Sequence, residues 1–523
     1  MSTALSHRYD CVVVGAGHNG LVCATYLARS GRSVLVLEAG ERLGGAAVTR
    51  EFAPGFQVSA CAHLLHLMPA RLMRDLGLAA QGLKLAAEAL PSVALDPDGQ
   101  HLSFVRGELR GPGAAVPVDA GAYAEWHALV QRLSAALHPL LDSPPPRLGS
   151  DSWRERATLA RLGWRIRRLG RRDLRELLRI GGMCVHDLLE ERFRTPLLKG
   201  ALALDAVLGT NLGPRSPGTV MSLLYRLVAG GAPEALTQPL GGLGAFSESL
   251  ARAARAAGAQ IRTRAVVERI RVRDDRACGV LLAGGEEIAA PVIVSSADPK
   301  TTLLGLLGSE YLDAGFVRRV AQLRTRGLAA KLHVALEDLP QVQGLDAAAL
   351  RGRLLLAPSA DYVERAYNHA KYREFSAAPA LEITVPTLSD PSLAPPGKHV
   401  MSVIAQYAPY ALEGGWPEQR QRFADLILDS VARFAPQLRR SVASVELLTP
   451  PDIEREFRIV GGHWHHADLA LDQFFMVRPV PGAAQYQAPV AGLYLCGAGC
   501  HPGGGVMGIA GRNAARQVLK EAA

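Results

Sequence analysis

The chain has 523 residues, 48% of them hydrophobic and 20% charged, which excludes a disordered or fibrous protein and leaves room for two or three domains or one large two-lobed body. Its net charge of +9 does not require a nucleic-acid partner, because only seven of the 58 basic residues are lysine and the arginine-, alanine- and leucine-rich usage is that of a high-GC coding bias. Seven scattered cysteines exclude a disulfide framework, and with no leader and no uncharged apolar run of eighteen residues the sequence reads as a cytoplasmic protein without a membrane span.

Residues 9–14, YDCVVV, form a short β-branched apolar run, the pattern of a strand buried on both faces. GAGHNG follows, with Gly15, Gly17 and Gly20 in GxGxxG spacing, then a helical pattern (Leu21, Ala24, Leu27, Ala28) stopped at Gly31. A second buried run, SVLVLE, ends in Glu38, 21 residues past Gly17. Together these suit a dinucleotide. Gly15 permits a tight turn, Gly17 lets backbone approach a pyrophosphate, and Gly20 packs helix on strand. The helix N-terminus favours phosphate charge, and Glu38 can accept from the ribose hydroxyls. Past Glu38, AGERLGG places Gly44 and Gly45 where a second stretch of backbone can meet the phosphates; an ordinary turn is the alternative.

Residues 76–234 read as largely helical, interrupted by PPP at 144–146, a surface-turn signal. Within them, 153–182 carries ten arginines against three acids. Leu162, Ile166, Leu169, Leu177 and Ile180 lie near helical spacing there, with Trp153 and Trp164 as interface residues. Such a helix suits either peripheral contact with an anionic membrane or a solvated position with its apolar stripe turned inward. Residues 238–258 give a glycine turn and a helix, followed by hairpin strands and a buried strand at 291–295. Three more strands are expected in RGLAAKLHVALEDLP, LEITVP and HVMSVIAQY.

Several residues suggest chemistry. Lys331 sits inside an apolar strand, on the face of His333 and Ala335, where either a buried role or a solvated face fits the alternation. GGHWHHADLALDQ offers His463, His465 and His466, without a cysteine or carboxylate pair to complete a metal set. His63 and His66 are cleft candidates or structural histidines. The tail YLCGAGCHPGGGVMGIAG, with Cys496, Cys500 and His501, is open to reading as a redox or metal cluster or as a backbone loop against a cofactor.

Taken together the segments resemble the phytoene-desaturase-like FAD oxidoreductases of the amine-oxidase and GDP-dissociation-inhibitor superfamily, over nearly the whole chain. The fingerprint, PLGGLGAFSESLA, DPSLAPPGKHV, GGHWHHADLALDQ and YLCGAGCHPGGGVMGIAGRNAA carry the likeness. The nearest branch is one named for a pyridine nucleotide-disulphide oxidoreductase domain, although the chain has neither a CxxxxC redox pair nor a second strand–GxGxxG–helix unit. The resemblance implies an α/β fold with a discontinuous Rossmann-type FAD domain (1–75, 235–300 and 487–523). A second, α+β substrate lobe (76–234 and 301–486) completes it. It further implies Val267 backbone at the adenine, Gly497, Gly505, Val506 and Met507 at the flavin ring, Lys331 near flavin N5 and His466 in the cleft with Asp472 and Gln473. The implied reaction takes a hydride from a C–C bond of a lipophilic, isoprenoid-like molecule, with oxygen or a quinone as acceptor, and predicts a long apolar tunnel. Amine oxidation through Lys331, in a compact aromatic-walled cavity, and non-enzymatic lipid binding of the GDP-dissociation-inhibitor type are the alternatives.

Overall fold

The computed structural model describes residues 8–113, 116–147, 152–228 and 236–521. The β-branched run Cys11–Val14 forms the middle of a five-stranded parallel sheet, in the order Gln260–Arg262, Val34–Leu37, Cys11–Val14, Val292–Ser295, Leu493–Leu495. Its strands come from three distant stretches of chain. Helix His18–Arg29 lies on this sheet and packs against helices Gly242–Ala256 and Ile509–Glu521. The closeness depends on missing side chains: a Cβ on Gly20 would fall 2.2 Å from the Gly15 carbonyl oxygen, and one on Gly511 2.0 Å from that of Asn19. An antiparallel three-stranded sheet, Val267–Arg273, Arg276–Leu282 and Glu287–Ala289, stands beside this layer.

The second sheet has eight strands, ordered Val442–Leu448, Ala329–Leu336, His399–Gln406, Ala380–Thr384, Arg353–Leu356, Ser92–Ala94, Leu102–Val105, Glu108–Arg110. It is antiparallel except where Arg353–Leu356 runs parallel to Ser92–Ala94. Ala330, Leu332, Val334 and Leu336 pack on one face against helix Trp416–Ala432. The opposite face, with Leu355 and Ile404, meets helices Ala120–Leu141, Pro196–Val207 and Thr219–Val228. Covered on both faces, strand Ala329–Leu336 is buried at all eight positions. Lys331 and His333 are 0% exposed, so the solvated face that alternation allowed for the lysine does not exist.

Residues 76–234 are largely helical, with Leu85–Ala87, Ser92–Ala94, Leu102–Val105 and Glu108–Arg110 as added strands too short to show a periodicity. Two expectations for this region change. Pro145 and Pro146 are buried rather than at a surface turn, and the Pro145 carbonyl accepts from the Gln485 side chain. The basic stretch 153–182 is two helices, Trp153–Arg167 and Gly170–Ile180, parted where Gly170 takes φ +78°. Leu177 and Ile180 turn inward, Trp153 and Trp164 stay exposed, and the Arg168 guanidinium stacks on Trp164. Among the described residues no helix is long and apolar enough to cross a membrane.

Candidate active site

A continuous cavity runs from Glu38, at the carboxyl end of strand Val34–Leu37 in the parallel sheet, to Glu382, in the middle of the eight-stranded one. Its first half is backbone. Gly15, Gly17, Gly44, Gly45, Val267, Gly505 and Val506 all line it. The Gly44 amide donates to the Ala16 carbonyl at 2.8 Å, tying the second glycine pair to the first loop. Gly44 takes φ +117°, and a Cβ there would lie 2.6 Å from Ser247 Oγ and 2.7 Å from the Ala47 carbonyl oxygen. Helix His18–Arg29 starts at Gly17 with no side-chain cap and no acid in its first turn, so its leading N–H groups are left for an anion. Glu38 accepts from the amides of Ala16 and Gly40, both at 2.8 Å, which fixes its carboxylate on the cavity wall. This cradle fits FAD: helix N–H groups for the pyrophosphate, Glu38 for the ribose and side-chain-free backbone for close approach.

Other expected cofactor residues stand behind the wall. Gly20 serves the helix–strand contact. Gly497 lets the tail pass Ser296, whose carbonyl oxygen would sit 2.5 Å from a Cβ, and Met507 is buried within 3.8 Å of the Tyr225 hydroxyl. Cys496 and Cys500 are buried in the core of the parallel-sheet lobe, and burial pushes both thiols up. His501 donates from Nε2 to the Leu140 carbonyl and faces away from the cavity. The tail is therefore a backbone loop and not a reactive dithiol.

Histidines mark the middle of the cavity. His466 lines it, as does His18 at the start of the first helix, a residue sequence reasoning passed over inside the fingerprint. Burial lowers each imidazole to about 4, so both are neutral near pH 7. Nε2 of His18 and Nδ1 of His466 have no protein partner. The histidine loop is fixed by Arg478, wholly buried, which donates to the carbonyls of His465, Ala467, Asp468, Gln473 and Ala498. Asp472 lies at the surface, paired with Arg324, and Gln473 accepts from the Arg324 amide, so neither reaches the cavity.

The far half is built from charged side chains. His63 and His66, from the loop after strand Phe56–Ser59, line it with Asp205, Arg226 and Glu382. Glu382 is held by His63 Nε2 at 2.9 Å and Arg226 at 3.0 Å, with Arg353 at 3.5 Å. Asp205 is paired to Arg226 at 2.9 Å and Arg353 at 2.8 Å. The arginines hold the Glu382 carboxyl well below the usual range against the opposing pull of burial. Because Glu382 can only accept, His63 carries its proton on Nε2, and Nδ1 accepts from Lys331 Nζ at 2.8 Å. Lys331 thus sits behind His63 instead of on the cavity wall, and burial lowers its ammonium to about 7. The wall is not the uniformly apolar tunnel that desaturation predicts, since these charges interrupt the aliphatic lining of Leu64, Leu67, Leu208, Ile404 and Leu469.

Comparison with known proteins agrees with this geometry. The profile of the family described as flavin containing amine oxidoreductase matches residues 20–519. The Mus musculus protein named pyridine nucleotide-disulfide oxidoreductase domain-containing protein 2 is 38% identical, over 99% of this chain and 94% of its own. A limonene dehydrogenase subunit from Castellaniella defragrans is 27% identical, over 98% of this chain and 94% of its own. Cyclohexylamine oxidase from Brevibacterium oxydans IH-35A superposes with a TM-score of 0.58 over 98% of this chain and 99% of its own; at 16% identity that likeness is one of fold. The chain belongs to the flavin-containing amine oxidoreductase family and is an FAD-dependent oxidoreductase.

Proposed function

We propose that the protein is a dehydrogenase that takes a hydride from a carbon–carbon bond of a lipophilic, isoprenoid-like small molecule and passes the electrons to oxygen or a quinone. The observation that carries this reading is the placement of Lys331. Held by His63 and absent from the cavity wall, it does not offer the flavin-side lysine on which amine oxidation was premised. The two carboxylates at the far end, Asp205 and Glu382, are both committed to arginines, which leaves neither to receive a substrate ammonium. When bound, FAD supplies the hydride acceptor. The chain's part is to position the substrate and exclude water: Leu67 packs against Gly505 and Leu469 against Gly503, which sets hydrocarbon beside the tail loop. The full-length likeness to a protein named for limonene dehydrogenase supports the same chemistry.

Anaerobic mixing of the holoenzyme with a panel of terpenes, polyenes, acyl compounds and amines tests it. Bleaching of the flavin by a compound without nitrogen is expected. Bleaching by amines alone would establish amine oxidation instead. Reoxidation of the reduced enzyme by oxygen or by a soluble quinone then identifies the acceptor.

A further inference from the structure

The register of the large sheet sets Lys331 opposite Ile404, and Ile404 opposite Glu382. On the next strand Leu355 faces Glu382, and Arg353 lies two residues before it on the same face. Helices Pro196–Val207 and Thr219–Val228 close over this row and bring Asp205 and Arg226 onto it. The result is two guanidinium groups balanced by two carboxylates, with Lys331 as a further basic group joined through His63.

Accessibility within the cluster is uneven. The side chains of Arg353, Glu382 and Asp205 are 3%, 4% and 6% exposed, whereas that of Arg226 is 17% exposed and lies on the cavity wall. Beside it His66 also lines the cavity, with Nε2 lacking a protein partner. Burial, and then the charge of Arg226, keep that imidazole neutral and well below its ordinary range. Ion pairs that only fasten helix to sheet need no reachable member. Charges in a wall that receives hydrocarbon must be paired, and these are; what sets Arg226 apart is that it is also reachable from the cavity.

We propose that the far end of the cavity is a carboxylate site, in which Arg226 and His66 take the head group of an amphipathic acid whose hydrocarbon part extends toward the Gly505 loop. Arg226 Nε and Nη2 are held by Asp205 and Glu382, so its Nη1 is the guanidinium donor left for one oxygen, and His66 gives a neutral N–H for the other. Leu64, Leu67 and Leu469 provide the aliphatic wall between head and flavin. The inference rests on the dehydrogenase reading of this cavity and narrows its substrate to a lipophilic acid.

Matched probes test it. The FAD-loaded enzyme is titrated with octanoate and with 1-octanol, followed by flavin absorbance and by calorimetry. Octanoate is expected to bind about ten- to a hundredfold more tightly, as for a charge-assisted hydrogen bond. Arg226→Gln should abolish that preference, and His66→Leu should reduce it several-fold, the preference being the ratio of the two affinities measured in each variant. Flavin content and melting report whether Arg226→Gln folds, and if it does not, His66→Leu decides alone. Equal affinity for the two probes, no binding of either, or an undiminished preference in the folded variants overturns the site. Anaerobic bleaching separates this from the reaction itself. Bleaching by a neutral terpene without acid preference removes the carboxylate site and keeps the dehydrogenase; acid preference with bleaching by amines alone does the reverse.

Discussion

At one end of the cavity the wall is backbone, with Gly15, Gly17, Gly44 and Gly45 presenting main chain and the first helix presenting its N-terminus. At the other end the wall is side chains, where His63, Asp205, Arg226 and Glu382 meet from two helices, a strand and a loop. The first end recognises a ligand chiefly by the absence of atoms, with Glu38 as a fixed carboxylate. The second recognises by charge and depends on protonation. Substitution should therefore damage the first end most, and pH the second.

The largest effect is expected from Gly44→Ala. A methyl there meets Ser247 and the Ala47 carbonyl inside 3 Å at a φ that side chains avoid. Overpacking and backbone strain together cost about 2–5 kcal/mol, borne by the loop that holds the cofactor. The purified variant should lack flavin absorbance and stay colourless when FAD is added. Normal FAD content would show that the backbone end is less exacting than its geometry.

Acid should act through the buried histidines, most of which lie beyond the backbone cradle. His18, His63, His333 and His466 are each lowered to about 4, and His66 and His465 lie well below their ordinary range, in every case chiefly through burial. Between pH 6.5 and about 4 the unfolded chain binds these protons and the folded chain does not, so stability falls as pH falls. One proton contributes about 1.4 kcal/mol per pH unit, and several act together. Denaturant unfolding at pH 7.5, 6.5 and 5.5 should show a steep loss, with His66→Leu shallower by about one proton. A flat profile would mean that the histidines titrate normally.

Lys331→Met gives a smaller effect of related origin. With the folded ammonium near 7 and an unfolded value of 10.5, the unfolded chain holds more protons above pH 7. Stability should rise from pH 7 toward 10 by up to about 1.4 kcal/mol per unit from this group, and the methionine variant should lose that rise. The groups facing the lysine are His63, Cys61 and Glu382, with His333 two residues along its strand. Stopped-flow kinetics of the same variant check that the lysine stands away from the flavin: reduction and reoxidation at wild-type rates are expected, and slowing of either would restore a flavin-side role.

The same contrast explains what the sequence made legible. The backbone end was readable because it is local: strand, glycines, helix, strand and Glu38 follow one another within thirty residues, with fixed spacing and one physical reason for each position. Lys331 was conspicuous as a charge in an apolar strand, yet its partner His63 lies 268 residues away, so its contact could not be read from alternation. Asp205, Arg226, Arg353 and Glu382 were missed because each looks ordinary in its own segment; only helix packing and sheet register bring them together. Glu382 in LEITVP could have been flagged, being a carboxylate in a strand buried at every position. Short strands such as Ser92–Ala94 were lost for a different reason, since three residues cannot display a period of two.

Gly31→Ala is the mildest test and isolates why the backbone end is exacting. Gly31 ends the first helix at φ +83°, comparable to the positive φ of Gly44, but a Cβ there meets nothing within 4 Å. Only the conformational term remains, about 1 kcal/mol, and it acts at the end of the helix away from the phosphates. The variant should melt slightly lower and keep its FAD. If it loses FAD as Gly44→Ala does, positive φ alone governs cofactor retention and the close contacts with Ser247 and Ala47 are incidental. If it keeps FAD, the cradle is defined by the space that side chains would fill.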